Sequence, residues 1–489
     1  MLRWFVYRGK LQSDAFSHGH QNSLSRVRNA RGNECCNNGV TNVVSSHLFF
    51  LSRHQKEEGV LAINDRVTLY VENIGNKVLG SFHHYENGGK AYINNDMLSV
   101  LSHVIVNGQP LESFFPISLD EKLRNRLISQ SQVALDELIK NGWIKDSDSI
   151  STKGKFRRIT SSPPLRVLFV EATKECNLMC KHCYVADCKM PNKKGQLKTN
   201  DLKGLIKQAD EMGVMEIQLT GGEIFMVQEV MDLMTDLRNR LIPCSVFTNG
   251  TIIPHELLDF LKNDCNGFLF YISLDGPENI HDEFRQVRGC YAKTITAIRT
   301  LLNIGCDVRI NTAVGKHNAN CILEFMDYIK NEFGVMHRLV PIEPIGRAKD
   351  QQLTIPDKQF SELLAGSGKN FKFLDSHDEL SDNDWEIPAC GVGSSMIFID
   401  AYGNASLCPT LTQAQNPDFL AGNIKESTIY NIWTSSQIFK KIRNIQCSEI
   451  NRCTFKELCR GGCRSKAFLE TGDLCAPDKQ MCDFYKIAV

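Results

Sequence analysis

The chain has 489 residues, with Lys+Arg and Asp+Glu both at 56, so its formal net charge is zero. That length is enough for one large core or several domains, and the balanced charge excludes a nucleic-acid binder working through a broad basic field. No apolar run approaches the length of a membrane-spanning helix.

Residues 1–46 have little periodicity and are left unassigned. The first 34 residues hold five Arg and one Lys against one Asp and one Glu, a faint likeness to an organelle transit peptide, but "WFVY" is too short for a secretory apolar segment. An extension on a cytoplasmic protein is expected. Within 47–150, "LFFLS", "VLAIN" and "VTLYV" read as short strands. A helix is predicted from Asn95, with Met97, Leu98, Leu101, Val104 and Ile105 on one face and Gly108 past its end. A second runs from about Asp120 to Lys140 and stops at "NGW". Strands, helices and a short wing outline a winged-helix-like module. Residues 151–164 are polar, end in two prolines and read as a linker.

From 165 to 350 strands and helices alternate. Strands are predicted at "RVLFVEA", "MEIQLTGG", "CSVFTNG", "FLFYISLDG", "DVRINTAV" and "HRLVPIEPIG". The helix after Thr199 turns Leu202, Leu205, Ile206 and Ala209 inward and stops at Gly213. The one over 291–304 uses Ile295, Ile298, Leu301 and Leu302 and stops at Gly305. Six such units imply a parallel sheet, either an open doubly wound one or a partial barrel. In both, ligands gather at the carboxyl ends of the strands, where "TGGE", "TNG", "SLDG" and "GRA" fall. His281, Asp282, Arg285 and Arg347 also lie near strand ends and read mostly as surface charge. Over 385–489 periodicity weakens, as in a small domain organised around metal.

The 19 cysteines are grouped. Three stand at 176, 180 and 183, and eight lie between 390 and 482. Cys35, Cys36, Cys188, Cys244, Cys265, Cys290, Cys306 and Cys321 are scattered and read as small buried hydrophobes. Disulfide frameworks belong to short, core-poor secreted domains, so grouped thiols here indicate metal. A structural zinc ion closes its shell with four ligands, and near "CNLMCKHCY" only His182 and Cys188 offer a fourth. A four-iron cluster on three thiolates keeps one iron open for a chelating small molecule.

CNLMCKHCY (Cys176–Tyr184) resembles the signature of the radical S-adenosylmethionine (SAM) enzymes. The resemblance implies a [4Fe–4S] cluster on Cys176, Cys180 and Cys183, SAM on the open iron, and a 5′-deoxyadenosyl radical that abstracts an unactivated hydrogen. It implies a (β/α)6 partial TIM barrel, an α/β fold. Gly221, Gly222 and Glu223 resemble the family's GGE element, where glycines let the backbone approach a ligand. Asn249 stands at the third strand end. Ser273 is a candidate ribose contact and Asp275 a weaker one. No catalytic residue is assigned.

Cys390, twelve residues, Gly403, four residues and Cys408, followed by "CTFKELCRGGC" and "TGDLCAPDKQMC", resemble the SPASM extension with two auxiliary [4Fe–4S] clusters. The resemblance gives Cys390, Cys408 and Cys463 to the first. Cys447, Cys453, Cys459 and Cys482 go to the second, and Cys475 is a substitute in either. Ile450 stands where the family usually has Cys. The first cluster thus borrows Cys475 or keeps an open iron for a substrate thiolate. Two zinc sites are the competing use of eight cysteines.

Residues 47–150 resemble in outline the peptide-recognition domain of maturases that act on ribosomally made peptides. Together these resemblances imply a maturase of the thioether-forming, subtilosin type that installs a C–S or C–C cross-link in a precursor peptide. A flavodoxin or ferredoxin would reduce it, and neither nucleic acid nor membrane is an expected partner. The competing readings are a sulfatase-type maturase, a peptide epimerase, a tetrapyrrole-modifying enzyme, and a non-enzymatic iron–sulfur carrier or DNA-binding sensor.

Overall fold

The computed structural model describes residues 60–74, 77–85, 90–93, 95–106, 109–147, 155–185, 195–349, 352–366, 391–413, 416–459 and 461–488. The "LFFLS" strand, Gly108, Cys35, Cys36, Cys188 and Cys390 lie outside them. The chain forms two compact units: 1–69, 74–84 and 88–156 make the first, and 70–73, 85–87 and 157–489 the second.

The first unit contains strand β1 (Val60–Ile63), half of β2 (Val67–Ile74), β3 (Lys77–His84) and β4 (Lys90–Ile93). Helix α1 (Asn95–Leu101) follows and continues as a π-helical turn, with Met97, Leu98, Leu101, Val104 and Ile105 buried as expected. Next come α2 (Leu111–Phe114), α3 (Glu121–Lys140) and β5 (Ile144–Ser147). The Asp120 carboxylate caps α3 by accepting from Leu123 N at 3.0 Å, the N-cap chemistry that makes Asp a start signal. β5 pairs antiparallel with β1, and β4, β3, β2 and β6 (Lys155–Arg158) form a sheet in that order. The expected linker is therefore part strand. Arg157 is buried, with its Nε 2.8 Å from Asp210 Oδ1, so the charge that made "KFRR" look solvated is neutralised inside.

In the second unit every expected strand is present: β7 (Val167–Glu171), β8 (Glu216–Thr220), β9 (Cys244–Thr248), β10 (Phe268–Ser273), β11 (Asp307–Val314) and β12 (Met336–Pro341). They run parallel in unbroken sequence order, β7 to β12. A doubly wound sheet reverses its order at a switch point; no reversal occurs among β7 to β12, which is consistent with a partial barrel. The crossovers carry α4 (Thr199–Met212), α5 (Val230–Asn239), α6 (His255–Asn263), α7 (Glu278–Arg285), α8 (Cys290–Asn303) and α9 (Ile322–Phe333). The apolar faces of α4, α5, α6, α8 and α9 meet Leu168, Ile217, Val246, Phe270 and Ile310 in one core. Gly213 ends α4 at φ +74°, the left-handed cap its sequence announced.

After α10 (Asp357–Gly366), β13 (Met396–Ile399) adds to the free edge of β7 in parallel, and β14 (Asn404–Ser406) and β15 (Leu420–Asn423) extend the sheet antiparallel. Short helices complete the unit: α11 (Pro409–Gln413), α12 (Ile429–Ser435), α13 (Gln437–Arg443), α14 (Lys456–Cys459), α15 (Arg464–Thr471) and α16 (Lys479–Ala488). Ile397, Trp433 and Phe439 belong to the same core as the barrel. Among the described residues no helix is long and apolar enough to cross a membrane.

Candidate active site

Beyond β7 the chain becomes a loop bearing Cys176, Cys180 and Cys183, which pack with Leu178, Val287 and Cys290. Cys180 is buried and the other two are half-buried. Backbone bonds fix the loop on three sides. Lys181 N and Met179 N donate to the carbonyls of Phe284 (2.9 Å) and Arg285 (3.4 Å), and Arg347 N donates to that of Cys183 (3.0 Å). On the third side Gly222 N donates to Thr173 O (2.6 Å) and Glu223 N to Glu175 O (2.7 Å). A Cβ on Gly222 would stand 2.6 Å from Lys174 O and closer still to Glu175 O, and one on Gly221 would be 2.8 Å from Thr173 O. The close approach for which the sequence reserved these glycines is thus to the chain's own backbone.

Glu223 is buried, and its side chain serves the fold. Oε1 accepts from Thr248 Oγ1 (2.7 Å) and Phe225 N (3.3 Å), and Oε2 accepts from Asn249 N (2.8 Å). Burial pushes its carboxyl up to about 7 against these three donors. Glu223, expected as a cofactor contact, makes a clasp between two strand ends that positions Asn249. The Asn249 amide donates to Asn177 Oδ1 (3.0 Å) and lies 3.9 Å from Cys176 Sγ.

Asp275 is also turned to the protein. Its Oδ2 takes Arg285 Nε at 2.8 Å, and Oδ1 takes Ala313 N at 2.9 Å. Burial opposes its charge, but Arg285, His182 and His281 outweigh burial and hold it below the usual carboxylate range. These partners make Asp275 an ion-pair anchor of the site. Arg285 reaches on to Cys180, its Nη1 3.8 Å from Sγ. Ser273 ends β10, half-buried.

Two of the residues read as surface charge are not surface groups. His281 and Arg285 are buried, and His281 Nδ1 accepts from Asp275 N at 3.1 Å. Asp282 holds Tyr291 N (2.7 Å) and the Cys290 thiol (3.1 Å). His182 stacks on one face of Phe284 at 4.6 Å and His317 on the other at 3.5 Å. Burial drives His182 down to about 3. Cys290 was missed as a neighbour of the three cysteines, since no spacing ties it to residues so distant in the chain.

The carboxy-terminal thiols fall into two groups. Ser465 Oγ lies 3.0 Å from Cys463 Sγ and also bonds Cys408. Burial, with Cys463 adding to it, pushes Cys408 up to about 11. Cys459 is raised to about 11 by burial, with Cys482 and Cys453 close enough to contribute. Cys482 in turn feels Cys447 and Cys453. The Cys475 carbonyl accepts from Ser448 N at 2.7 Å, closing the last segment onto the loop that carries Cys447. Among the described residues no three His, Cys, Asp or Glu side chains converge as a single ion requires. The donors gathered at the loop and in the carboxy-terminal region are thiols, the ligand type that iron–sulfur clusters take.

Residues 170–329 match the Radical SAM superfamily, and residues 390–464 match the SPASM iron–sulfur cluster-binding domain. The chain carries a radical SAM domain and a SPASM domain, which indicate an enzyme with [4Fe–4S] clusters that uses SAM. It is 26% identical to the AdoMet-dependent heme synthase of Nitratidesulfovibrio vulgaris over 66% of this chain and 93% of that protein. It is 27% identical to the subtilosin biosynthesis protein AlbA of Bacillus subtilis over 62% of this chain and 68% of that protein. The fold superposes on Streptococcus suis SuiB bound to its precursor peptide SuiA with a TM-score of 0.58, at 16% identity, covering 86% of this chain and all of SuiB.

Proposed function

We propose that the enzyme is a maturase that installs a C–S or C–C cross-link in a ribosomally made precursor peptide. The observation that carries this reading is coverage. Residues 157–489 are about two thirds of the chain, which is the share aligned with the heme synthase. A fold match over 86% reaches into the first unit, and the protein that supplies it is a peptide-binding one. By sequence the heme synthase and AlbA alike align with about two thirds of the chain, so it is the fold match that favours the peptide.

Cys176, Cys180 and Cys183 would hold the SAM-binding cluster. Cys390, Cys408 and Cys463 would hold one auxiliary cluster, and Cys447, Cys453, Cys459 and Cys482 the other, with Cys475 bracing the closing segment. When bound, the first cluster and SAM supply the one-electron chemistry that removes an unactivated hydrogen. The chain's own part is positional. Gly222 lets the cysteine loop lie on β8, Glu223 sets Asn249 beside Cys176, and Asp275 holds Arg285 toward Cys180. Cross-linking is preferred to epimerisation because it is a net oxidation and gives the second thiol groups a purpose. The first unit, winged-helix-like in outline, would receive the leader segment by strand addition. A flavodoxin or ferredoxin of the cytoplasm would supply electrons.

The test is anaerobic. Reconstituted enzyme with dithionite and SAM should form 5′-deoxyadenosine, and a peptide encoded beside its gene should lose hydrogen mass on incubation. Deletion of 1–150 should weaken binding of that peptide while SAM cleavage continues. Unchanged peptide affinity removes the recognition role, and conversion of a porphyrin instead of the peptide overturns the substrate class.

A further inference from the structure

The strand residues that face the helices leave an opposite, inner set. Leu168, Val246, Phe270 and Ile310 pack in the helix-covered core, so Phe169, Phe247, Tyr271 and Arg309, at alternate positions, line the lumen. These side chains form a continuous belt. Phe398 on β13 meets Phe169 at 5.4 Å, Phe169 meets Phe247 at 5.6 Å, and Phe247 stacks on Tyr271 at 4.6 Å. The belt ends on a cation: the Arg309 guanidinium lies 5.6 Å from the Tyr271 ring centroid and donates to its hydroxyl at 3.0 Å. Arg338, also on the inner face, stands beside Asn311 in the register of β11 and β12. Burial pushes the Tyr271 phenol up, and Arg309 and Arg338 are close enough to work against it.

Two properties mark this wall as built for a ligand. Arg309 is half-buried yet meets no carboxylate among the described residues, and a guanidinium withdrawn from water without an anion is costly unless something arrives to pair with it. Asn311 lies between Ser273 and Arg338 in the strand register, and its buried side-chain oxygen has no hydrogen-bond partner among the described residues. An apolar run that ends in a forked cation fits an amphiphile whose anionic group is planar.

We propose that this inner wall binds the substrate and that the substrate carries a carboxylate beside apolar side chains, with Arg309 reading the carboxylate. The inference rests on the radical SAM reading, because only that chemistry makes the lumen a reaction chamber. The carboxylate has two sources consistent with it, an acidic residue of a peptide or the acid group of a tetrapyrrole.

The experiment is calorimetric titration of the anaerobic holoenzyme, saturated with SAM, with three probes. These are a capped tripeptide leucine–glutamate–leucine, its glutamine counterpart, and haem. The glutamate peptide should bind roughly tenfold more tightly than the glutamine peptide, the worth of one charge-assisted hydrogen bond. That preference should vanish in Arg309→Gln and largely return in Arg309→Lys, which also separates lost recognition from lost folding. Haem binding that the glutamate peptide displaces assigns the acid group to a tetrapyrrole and supports the same wall. Equal affinity for the two peptides in the wild type, undetectable binding included, overturns the proposal, and so does a preference that survives Arg309→Gln. The parent reading is checked apart from this: a wild-type enzyme that forms no 5′-deoxyadenosine defeats radical chemistry whatever the titrations give.

Discussion

The two cysteine regions are built on opposite principles. The loop of Cys176, Cys180 and Cys183 is hydrogen-bonded through its backbone to β8, to the end of α7 and to the turn at Arg347. The stretch from Cys447 to Cys459 is supported mainly by its own turns, such as Ile450 N to Cys447 O and Arg452 N to Glu449 O, and contains one four-residue helix. A site on strand ends inherits the rigidity of the sheet, whereas a site on turns takes its order from its ligands. One unit thus places a pre-formed thiol set beside a metal-dependent one.

The sharpest break in that comparison is chemical. Replacing Cys176, Cys180 and Cys183 by Ala should abolish SAM cleavage, measured as 5′-deoxyadenosine, while roughly two thirds of the iron stays bound as three four-iron clusters become two. Undiminished cleavage would sink the site assignment. Iron lost throughout would show that the two regions are not independent. Next in size is the buried ion pair. Asp275→Asn leaves Arg285 uncompensated, and removing one partner of such a pair costs about 3–5 kcal/mol. Urea unfolding of metal-free protein should show the loss, because the barrel site is folded before metal binds. A loss seen only in the holoenzyme would contradict that order.

Much of the barrel site was legible because its signals are local. CxxxCxxC, the Gly-Gly pair and the strand-end clusters each fall within ten residues, and a period of two or 3.6 says which side chains turn inward. What escaped was tertiary. "MIFI" is four apolar residues, too short to announce that it would continue the sheet from the edge of β7. The protein partners of Glu223 and Asp275 were also hidden, because Asn249, Arg285 and Ala313 come from other elements. Arg157 and His281 read as solvated because sequence shows charge and not the group that neutralises it. In the carboxy-terminal region the spacing foretold metal and little else, as expected where few backbone bonds prescribe a shape.

Gly222→Ala probes the contact between β8 and the cysteine loop. Its Cβ would press on backbone oxygens that cannot rotate away, so a cost of about 2–3 kcal/mol is expected, in the range of overpacked cores. SAM-cluster iron should be lost and auxiliary iron kept, as read by electron paramagnetic resonance. Equal occupancy of all clusters would mean that the loop is less firmly held by β8 than its hydrogen bonds indicate.

The smallest effect is the most specific. Because Glu223 titrates near 7 in the folded protein and near the ordinary Glu value when unfolded, the native state binds its proton more tightly. By linkage, stability rises as pH falls through the folded value, and the gain levels off below the unfolded one. Between pH 8 and pH 6 the wild type should gain about 1 kcal/mol from this group. Glu223→Gln removes the titration and turns an amide N–H toward Asn249 N, a donor facing a donor, at a cost of about 1–3 kcal/mol. Urea unfolding of both proteins at the two pH values decides it. A wild type whose stability is flat across this interval, or a Gln variant with the same slope, would mean that the three donors hold Glu223 ionised and that the clasp between β8 and β9 works as a fixed charge.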